Sequence, residues 1–255
     1  MAMKVEVRQI EPAEILALRE LYRQEMNCQV VHDSWLRRGF AAPYLHLLEG
    51  KVAGYGAVTV GEVIEPGMVH EFYLLPSHRA AAVPLFRQLL VKSKASSIRA
   101  QTNDALLSLL LYDFAEGITS DTVLWHDAFA TQLALPEAIF RKLAESEKAN
   151  VFAHQLEPVG DWALEVMGSI VATGGFLTHY NPPYGDIFME VAQPFQRRGY
   201  GSCLVQEIKR VCYEAGKKPA ARCKAANVAS RKTLEKAGLL PCGRILIGRV
   251  NAERL

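Results

Sequence analysis

Stretches in which apolar and polar residues alternate are interleaved along the chain with stretches in which apolar residues return every three or four positions. The first kind reads as strand and the second as amphipathic helix. Lys4 to Ile10 alternates and predicts an edge strand. Glu11-Pro12 opens a helix to about Met26, with Ile15, Leu18, Leu21 and Tyr22 on one face. Asp33-Ser34 reads as an N-cap, followed by a helix to about Leu47. Val52–Val60 and Met68–Leu75 predict strands, Ala80–Lys94 a helix, Ser97–Gln101 a strand, Leu106–Glu116 a helix closed by Gly117, and Thr122–His126 a strand. In the second half, Pro136–Glu147 predicts a helix, and Asp161–Gly168 with Ser169–His179 a hairpin. A Pro-Pro turn follows at 181–185. Beyond Ile187–Val191 come a helix over Ser202–Ala215, a strand over Pro219–Lys224, a helix over Asn227–Ala237 and a last strand over Arg244–Val250.

The most informative stretch is Gly185 to Ser202. Ile187–Val191 is a buried-type strand carrying Glu190, followed by a turn with Gly199 and Gly201, and then a helix with Leu204, Val205, Ile208, Val211, Cys212 and Ala215 on its apolar stripe. Strand, glycine turn and helix start together make an anion site. The first N–H groups of a helix lack internal partners, the helix dipole adds positive charge there, and glycine lets a phosphate approach the backbone.

The spacing Gln196-x-x-Gly199-x-Gly201 resembles the pyrophosphate-binding motif of the GNAT superfamily, the GCN5-related N-acetyltransferases. Asn227, Ser230 and the run Leu234-Glu235-Lys236-Ala237-Gly238-Leu239 are similar to the family's second signature, an Asn opening a helix that ends in Lys-x-Gly. The resemblance implies an α/β mixed-sheet GNAT fold. It also implies acetyl-CoA as cofactor and a cofactor site built from Val191, Ala192, Gln193, Gln196, Arg197, Arg198, Gly199, Tyr200, Gly201, Ser202, Asn227 and Ser230. In the family the strand ahead of the turn splays from its neighbour, and the pantetheine arm lies along the open edge. A backbone N–H near Val191 then polarises the thioester carbonyl. Asn227 and Ser230 also read as an ordinary helix N-cap region.

The first half repeats this order. Leu74-Leu75-Pro76-Ser77-His78-Arg79 stands 117 residues before Val191–Gln196, and at the same offset Gly199 and Gly201 become Ala82 and Pro84. Ala82 brings a methyl, and Pro84 lacks an N–H, so the fold survives there while the phosphate cradle does not. This predicts a tandem: residues 1–127 as a degenerate GNAT-like domain without an intact pyrophosphate motif, and residues 128–255 as the domain that binds acetyl-CoA.

Acetyl transfer to an amine needs a base, and Glu190 is the candidate, directly or through water. The competing readings are a carboxylate paired with a buried Arg or Lys, or one that binds a cationic substrate. Glu165 is the reserve. Trp162, His179, Tyr180 and Tyr184 are expected near Asp186 as an acceptor groove. Many family members carry a Tyr before the Glu-Lys-x-Gly run, where this chain has Leu234. The general acid is therefore open, with Thr233 or water as substitutes, and Tyr200 lies too far along the turn. The reading that follows is an N-acetyltransferase acting on a small-molecule amine through a ternary complex. A protein or peptide N-acetyltransferase and a non-catalytic acyl-CoA-binding module are the alternatives.

Bulk properties narrow the partners. Of 255 residues, 50% are hydrophobic and 22% charged, a soluble globular composition with no apolar run of membrane-span length. The N-terminus passes straight into a strand pattern without signal-peptide features, which predicts a cytoplasmic protein. Residues 1–127 hold 12 Lys and Arg against 15 Asp and Glu; residues 128–255 hold 17 against 12, which suits an anionic ligand in the second half. The basic residues form no groove with interleaved aromatics, so no nucleic-acid partner is expected, and a monomer or homodimer is. Five scattered cysteines (Cys28, Cys203, Cys212, Cys223, Cys242) predict neither disulfides nor a metal site, and Cys212 reads as a buried small hydrophobe. No Gly-Lys-Ser/Thr follows the glycines, which argues against a nucleotide-binding loop.

Overall fold

The computed structural model describes residues 3–26, 33–179 and 182–255. The chain forms two compact units, Met1–Thr122 with Gly243–Leu255, and Val123–Cys242. The expected division lay at 127/128. Gly243–Leu255, which contains the expected last strand Arg244–Val250 of the second copy, groups with the first unit instead.

In chain order the elements are β1 (Val5–Gln9), α1 (Leu16–Glu25), α2 (Asp33–Arg37), β2 (Ala41–Leu48), β3 (Lys51–Thr59), β4 (Met68–Leu74), α3 (Ala82–Ser93), β5 (Ser97–Gln101), α4 (Ala105–Phe114) and β6 (Ala115–Asp127). They continue with β7 (Ala138–Lys142), β8 (Trp162–Val166), β9 (Ser169–Leu177), β10 (Tyr184–Val191), α5 (Tyr200–Glu214), β11 (Lys218–Lys224), α6 (Val228–Lys236) and β12 (Leu239–Val250). Among the described residues no helix is long and apolar enough to cross a membrane.

In the first unit β1, β2, β3 and β4 pair antiparallel in sequence order, β4 pairs parallel with β5, and β5 pairs antiparallel with Ile245–Arg249 of β12. Leu85, Phe86, Leu89 and Leu90 of α3 and Leu107, Leu110, Leu111 and Phe114 of α4 build one core. Ile15, Leu18, Tyr22 and Leu36 build a second with Tyr55 and Tyr73. In the second unit β11, β10, β9, β8 and β7 lie in that order, parallel between β11 and β10 and antiparallel from there on. Its core joins Leu204, Val205 and Ile208 of α5 to Trp125, Val171 and Leu234, while Val211 and Cys212 lie outside that cluster and Ala215, expected on the stripe, is exposed beyond the helix end. Cys212 is itself fully buried. Both units therefore share one plan: strand, turn, helix, parallel strand, helix. It is β4–α3–β5–α4 in the first and β10–α5–β11–α6 in the second.

Two predicted helices are strands. The expected helix from Asp33 to Leu47 ends at Arg37, and Ala41–Leu48 is β2, with Ala41 to Leu47 wholly buried between β1 and β3. A continuous apolar run has no period to separate helix from buried strand. Pro43 fits because its carbonyl still accepts from the Ile10 N–H at 3.1 Å. The expected helix 136–147 is the edge strand β7 and a 3-10 turn over Glu145–Asn150. Here tertiary partners override a good helical sequence. Phe140 stacks on Trp162 with ring centroids 5.0 Å apart, and Arg141 Nε donates to Glu165 across the ladder at 2.7 Å.

Candidate active site

The turn between β10 and α5 is built for an anion. Arg197 and Gly199 both have left-handed backbone, with φ of +62° and +92°. The first bond of α5 is Cys203 N–H to the Gly199 carbonyl at 3.1 Å, so the N–H groups just ahead of Cys203 have no helical partner. A side chain on Gly199 would meet little except Lys236, whose Nζ lies 3.8 Å from the ideal Cβ position, so this glycine serves the backbone conformation. Gly201 serves packing: its added Cβ would press within 3.4 Å of Met189, Thr233 and Val191. Gln196 Nε2 donates to the Val191 carbonyl at 3.2 Å and ties the turn to the strand. Arg198 lies over the Phe195 ring, and the buried Tyr200 turns its hydroxyl to Glu137 at 3.3 Å. Ser202 is buried. From Tyr200 and Ser202 it is the main chain that faces the turn. Lys236, in the Lys-x-Gly run that ends α6, thus brings a cation beside Gly199.

Beside the turn, the sheet forks. β10 and β11 pair from Tyr184↔Lys218 to Ile187↔Ala221 and then part, whereas β10 and β9 stay paired to Val191↔Ala172. Among the described residues, Phe188–Val191 thus has one edge without a strand partner. The Ala192 N–H donates to the Val171 carbonyl at 2.9 Å. Alternation then directs the N–H groups of Val191 and Met189 to the open edge and removes that of Ala192 from it.

Tyr184, Asp186, Phe188 and Glu190 share the face opposite α5. Trp162 does not join them. Its register partners Gly174 and Met189 place it on the α5 face, packed with Phe140. Tyr180 lies outside the described residues. Asp186, buried, accepts from Nε and Nη2 of Arg222; burial raises its pKa more than Arg222 and His179 lower it. Glu190 accepts from the backbone N–H groups of Gln155 (2.8 Å), Leu156 (3.0 Å) and Glu157 (3.0 Å). Burial works to raise its pKa, but those N–H groups, with His154 at 3.7 Å, outweigh burial and hold it below the usual carboxylate range. The His154 Nδ1 faces the Glu157 carbonyl at 3.0 Å and donates to it, and Nε2 lies 3.0 Å from the Thr173 hydroxyl. The exposed Glu157 is pushed the other way, upward, by partial burial and by the charges of Asp186 and Glu190. Glu165, the reserve, is engaged by Arg141.

At the start of α6, Asn227 Oδ1 accepts from the Ser230 N–H at 3.0 Å, an N-cap that leaves the amide nitrogen of Asn227 to donate elsewhere. Leu234 is buried in the core. The Cys223 thiol receives the Trp125 indole N–H at 3.1 Å.

Residues 125–239 match the model of the Acetyltransferase (GNAT) family. No curated protein matches the chain. Among solved structures, a GNAT-family acetyltransferase from Colwellia psychrerythraea has a TM-score of 0.75 at 15% identity, covering 96% of this chain and 100% of that one. A GCN5-related N-acetyltransferase from Sphaerobacter thermophilus has 0.59 at 16%, covering 96% and 95%. A tandem GNAT protein from the clavulanic acid biosynthesis pathway has 0.58 at 11%, covering 97% and 99%. The GNAT fold therefore runs through the chain as expected. The match to this family of acetyltransferases, residues 125–239, lies within the second unit.

Proposed function

We propose that the second unit transfers an acetyl group from acetyl-CoA to the amine of a small molecule within a ternary complex. One observation carries this reading: the β10–β11 fork opens immediately ahead of a turn with left-handed Arg197 and Gly199. The N–H groups of Arg197 to Ser202, with Lys236 beside Gly199, fit a diphosphate. The Met189 and Val191 main chain fits a pantetheine arm along the open edge, and the Val191 N–H is placed to polarise a carbonyl there. Acetyl-CoA supplies the activated thioester. The degenerate role of the first unit follows from its turn: Pro76–Ala81 is a 3-10 stretch running into α3 with no left-handed residue.

Glu190, the expected base, acts through its position. Its charge fastens residues 155–157 over the acceptor face. Glu157, delivered by that clasp, takes a proton from the acceptor ammonium so that the free amine attacks the thioester and coenzyme A thiolate leaves, because its carboxyl is solvent-accessible and its pKa is raised. Asp186 and the neighbouring His179 and Tyr184 border the acceptor.

A second reading, a non-catalytic acyl-CoA-binding module, is favoured by the buried Leu234 at the family's usual tyrosine position and by Tyr200 facing Glu137, so that neither serves as a tyrosine general acid. Coenzyme A should raise the melting temperature of the protein, and Gly199→Val should abolish that rise. A thiol-release assay across amines and peptides then decides between the two. Release with an amine supports the transferase, and protection without release on any acceptor leaves the module. No protection by coenzyme A overturns both.

A further inference from the structure

The first unit keeps the fork but not the phosphate turn. β4 and β5 pair at Met68↔Ser97 and Val69↔Ile98 and then separate. Near this opening lies a cavity of about 170 Å³ bounded by Tyr22, Phe72, Tyr73, Glu25, Arg79 and Asp104, with the Met26 side chain also on its wall. With no left-handed residue between Pro76 and Pro84, nothing beside it can cradle a diphosphate.

The charges around the cavity do not cancel. Arg79 is joined to Glu25, which also accepts from the Tyr73 hydroxyl at 2.8 Å. Arg19 is spent on Glu71, to which it donates from Nε at 3.0 Å and Nη2 at 2.7 Å. Asp104 is 5% exposed and has no ion-pair partner among the described residues. Its partners are neutral: the Leu107 N–H at 3.0 Å and the Tyr22 hydroxyl at 2.9 Å. We propose that this cavity is a binding site for a small organic cation, an alkylammonium of a few heavy atoms, whose charge completes Asp104 and whose carbon atoms lie against Tyr22, Phe72 and Tyr73. An unpaired carboxylate taken out of water is costly, and aromatic faces favour a desolvated cation, so both features select the same ligand. Burial raises the Asp104 pKa to about 6. The Leu107 and Tyr22 hydrogen bonds and Arg79 work to lower it, and Glu71 to raise it. A bound cation would draw it down, so binding weakens as pH falls through that value.

The test titrates the full chain with propylammonium, and with propanol and propanoate as neutral and anionic isosteres, following the methyl resonance of labelled Met26. Propylammonium alone should shift that resonance, with affinity falling about tenfold per pH unit below about 6. Asp104→Asn should weaken it at least tenfold, because asparagine keeps the helix cap and a Tyr22 partner and removes only the charge. Equal binding of propanol, no shift of Met26, or undiminished binding to Asp104→Asn overturns the proposal. Ammonium binding that persists in Asp104→Asn without moving Met26 belongs to the acceptor face of the second unit, and also overturns it. If Asp104→Asn fails to fold, the isostere comparison and the pH dependence in the wild type decide by themselves.

Discussion

Arg222 holds Asp186 at the point where β10 leaves β11: Asp186 is paired in register with Ala220, and Arg222 stands one residue beyond the last paired position, Ala221. The fork is thus pinned by an ion pair instead of backbone hydrogen bonds. Removing one partner strands a buried carboxylate. Because Arg222 is partly exposed, the loss should fall somewhat below the figure for a fully buried pair. Arg222→Met should destabilise the second unit by roughly 2–3 kcal/mol. Asp186→Asn in the same chain should restore part of this, giving a double-mutant coupling of more than about 1 kcal/mol in urea unfolding. Additive effects would show that the pair does not pin the fork.

The two glycines of the turn should fail in different ways. Gly199→Ala meets open space but must hold φ near +92°, a strain of about 1–2 kcal/mol that the turn relieves by relaxing. Coenzyme A protection should fall sharply while the unliganded melting temperature moves little. Gly201→Val drives side-chain atoms into Met189, Thr233 and Val191, so the unliganded melting temperature itself should drop. Melting curves with and without coenzyme A separate the two. An equal loss of protection with equal stability in both variants would contradict this division.

These glycines also mark how far the sequence could be read. Strand, turn and helix around Gly199 were legible because each leaves a local signal: β-branched residues, paired glycines, helical spacing. The tandem plan was legible in the 117-residue offset. What escaped depended on partners distant in sequence. β2 is apolar on both faces and carries no period. β7 is helical in composition and becomes a strand through Val166, Glu165 and Trp162 on β8. Glu190 was legible as a carboxylate on the right strand, but its three donors come from residues 155–157, in a segment whose composition gives no hint of where it folds back. Lys236 was visible in its motif, and only the contact geometry brings it to Gly199.

The clasp at Glu190 has a measurable signature. In Glu190→Gln the N–H groups of residues 155–157 lose a charged acceptor, a loss of about 1–3 kcal/mol. Amide exchange at Gln155, Leu156 and Glu157 should accelerate roughly 10- to 100-fold. Glu157→Gln should leave exchange at residues 155 and 156 unchanged and lower kcat with little change in KM for the amine. Exchange rates unaltered by Glu190→Gln would remove the clasp. A kcat unaltered by Glu157→Gln would return the base role to Glu190.

Acid should loosen the first unit through two buried histidines and be partly opposed by Asp104. Burial lowers the pKa of His46 to about 3 and of His70 to about 4, so in the fold both stay neutral where the unfolded chain, titrating near 6.5, binds protons. Their contribution is complete above about 6.5 and is lost as pH falls toward 4. Asp104, raised to about 6, has the opposite sign: between about 3.8 and 6 the folded form holds the extra proton. Between pH 6 and 4 the unfolded state therefore binds a net excess of one proton, and stability falls by roughly 1.4 kcal/mol per pH unit. His46→Gln should flatten that dependence, and Asp104→Asn should about double its slope. Urea midpoints of the three proteins at pH 4, 5, 6 and 7 measure this directly. Parallel curves for wild type and His46→Gln would mean that His46 is protonated in the fold.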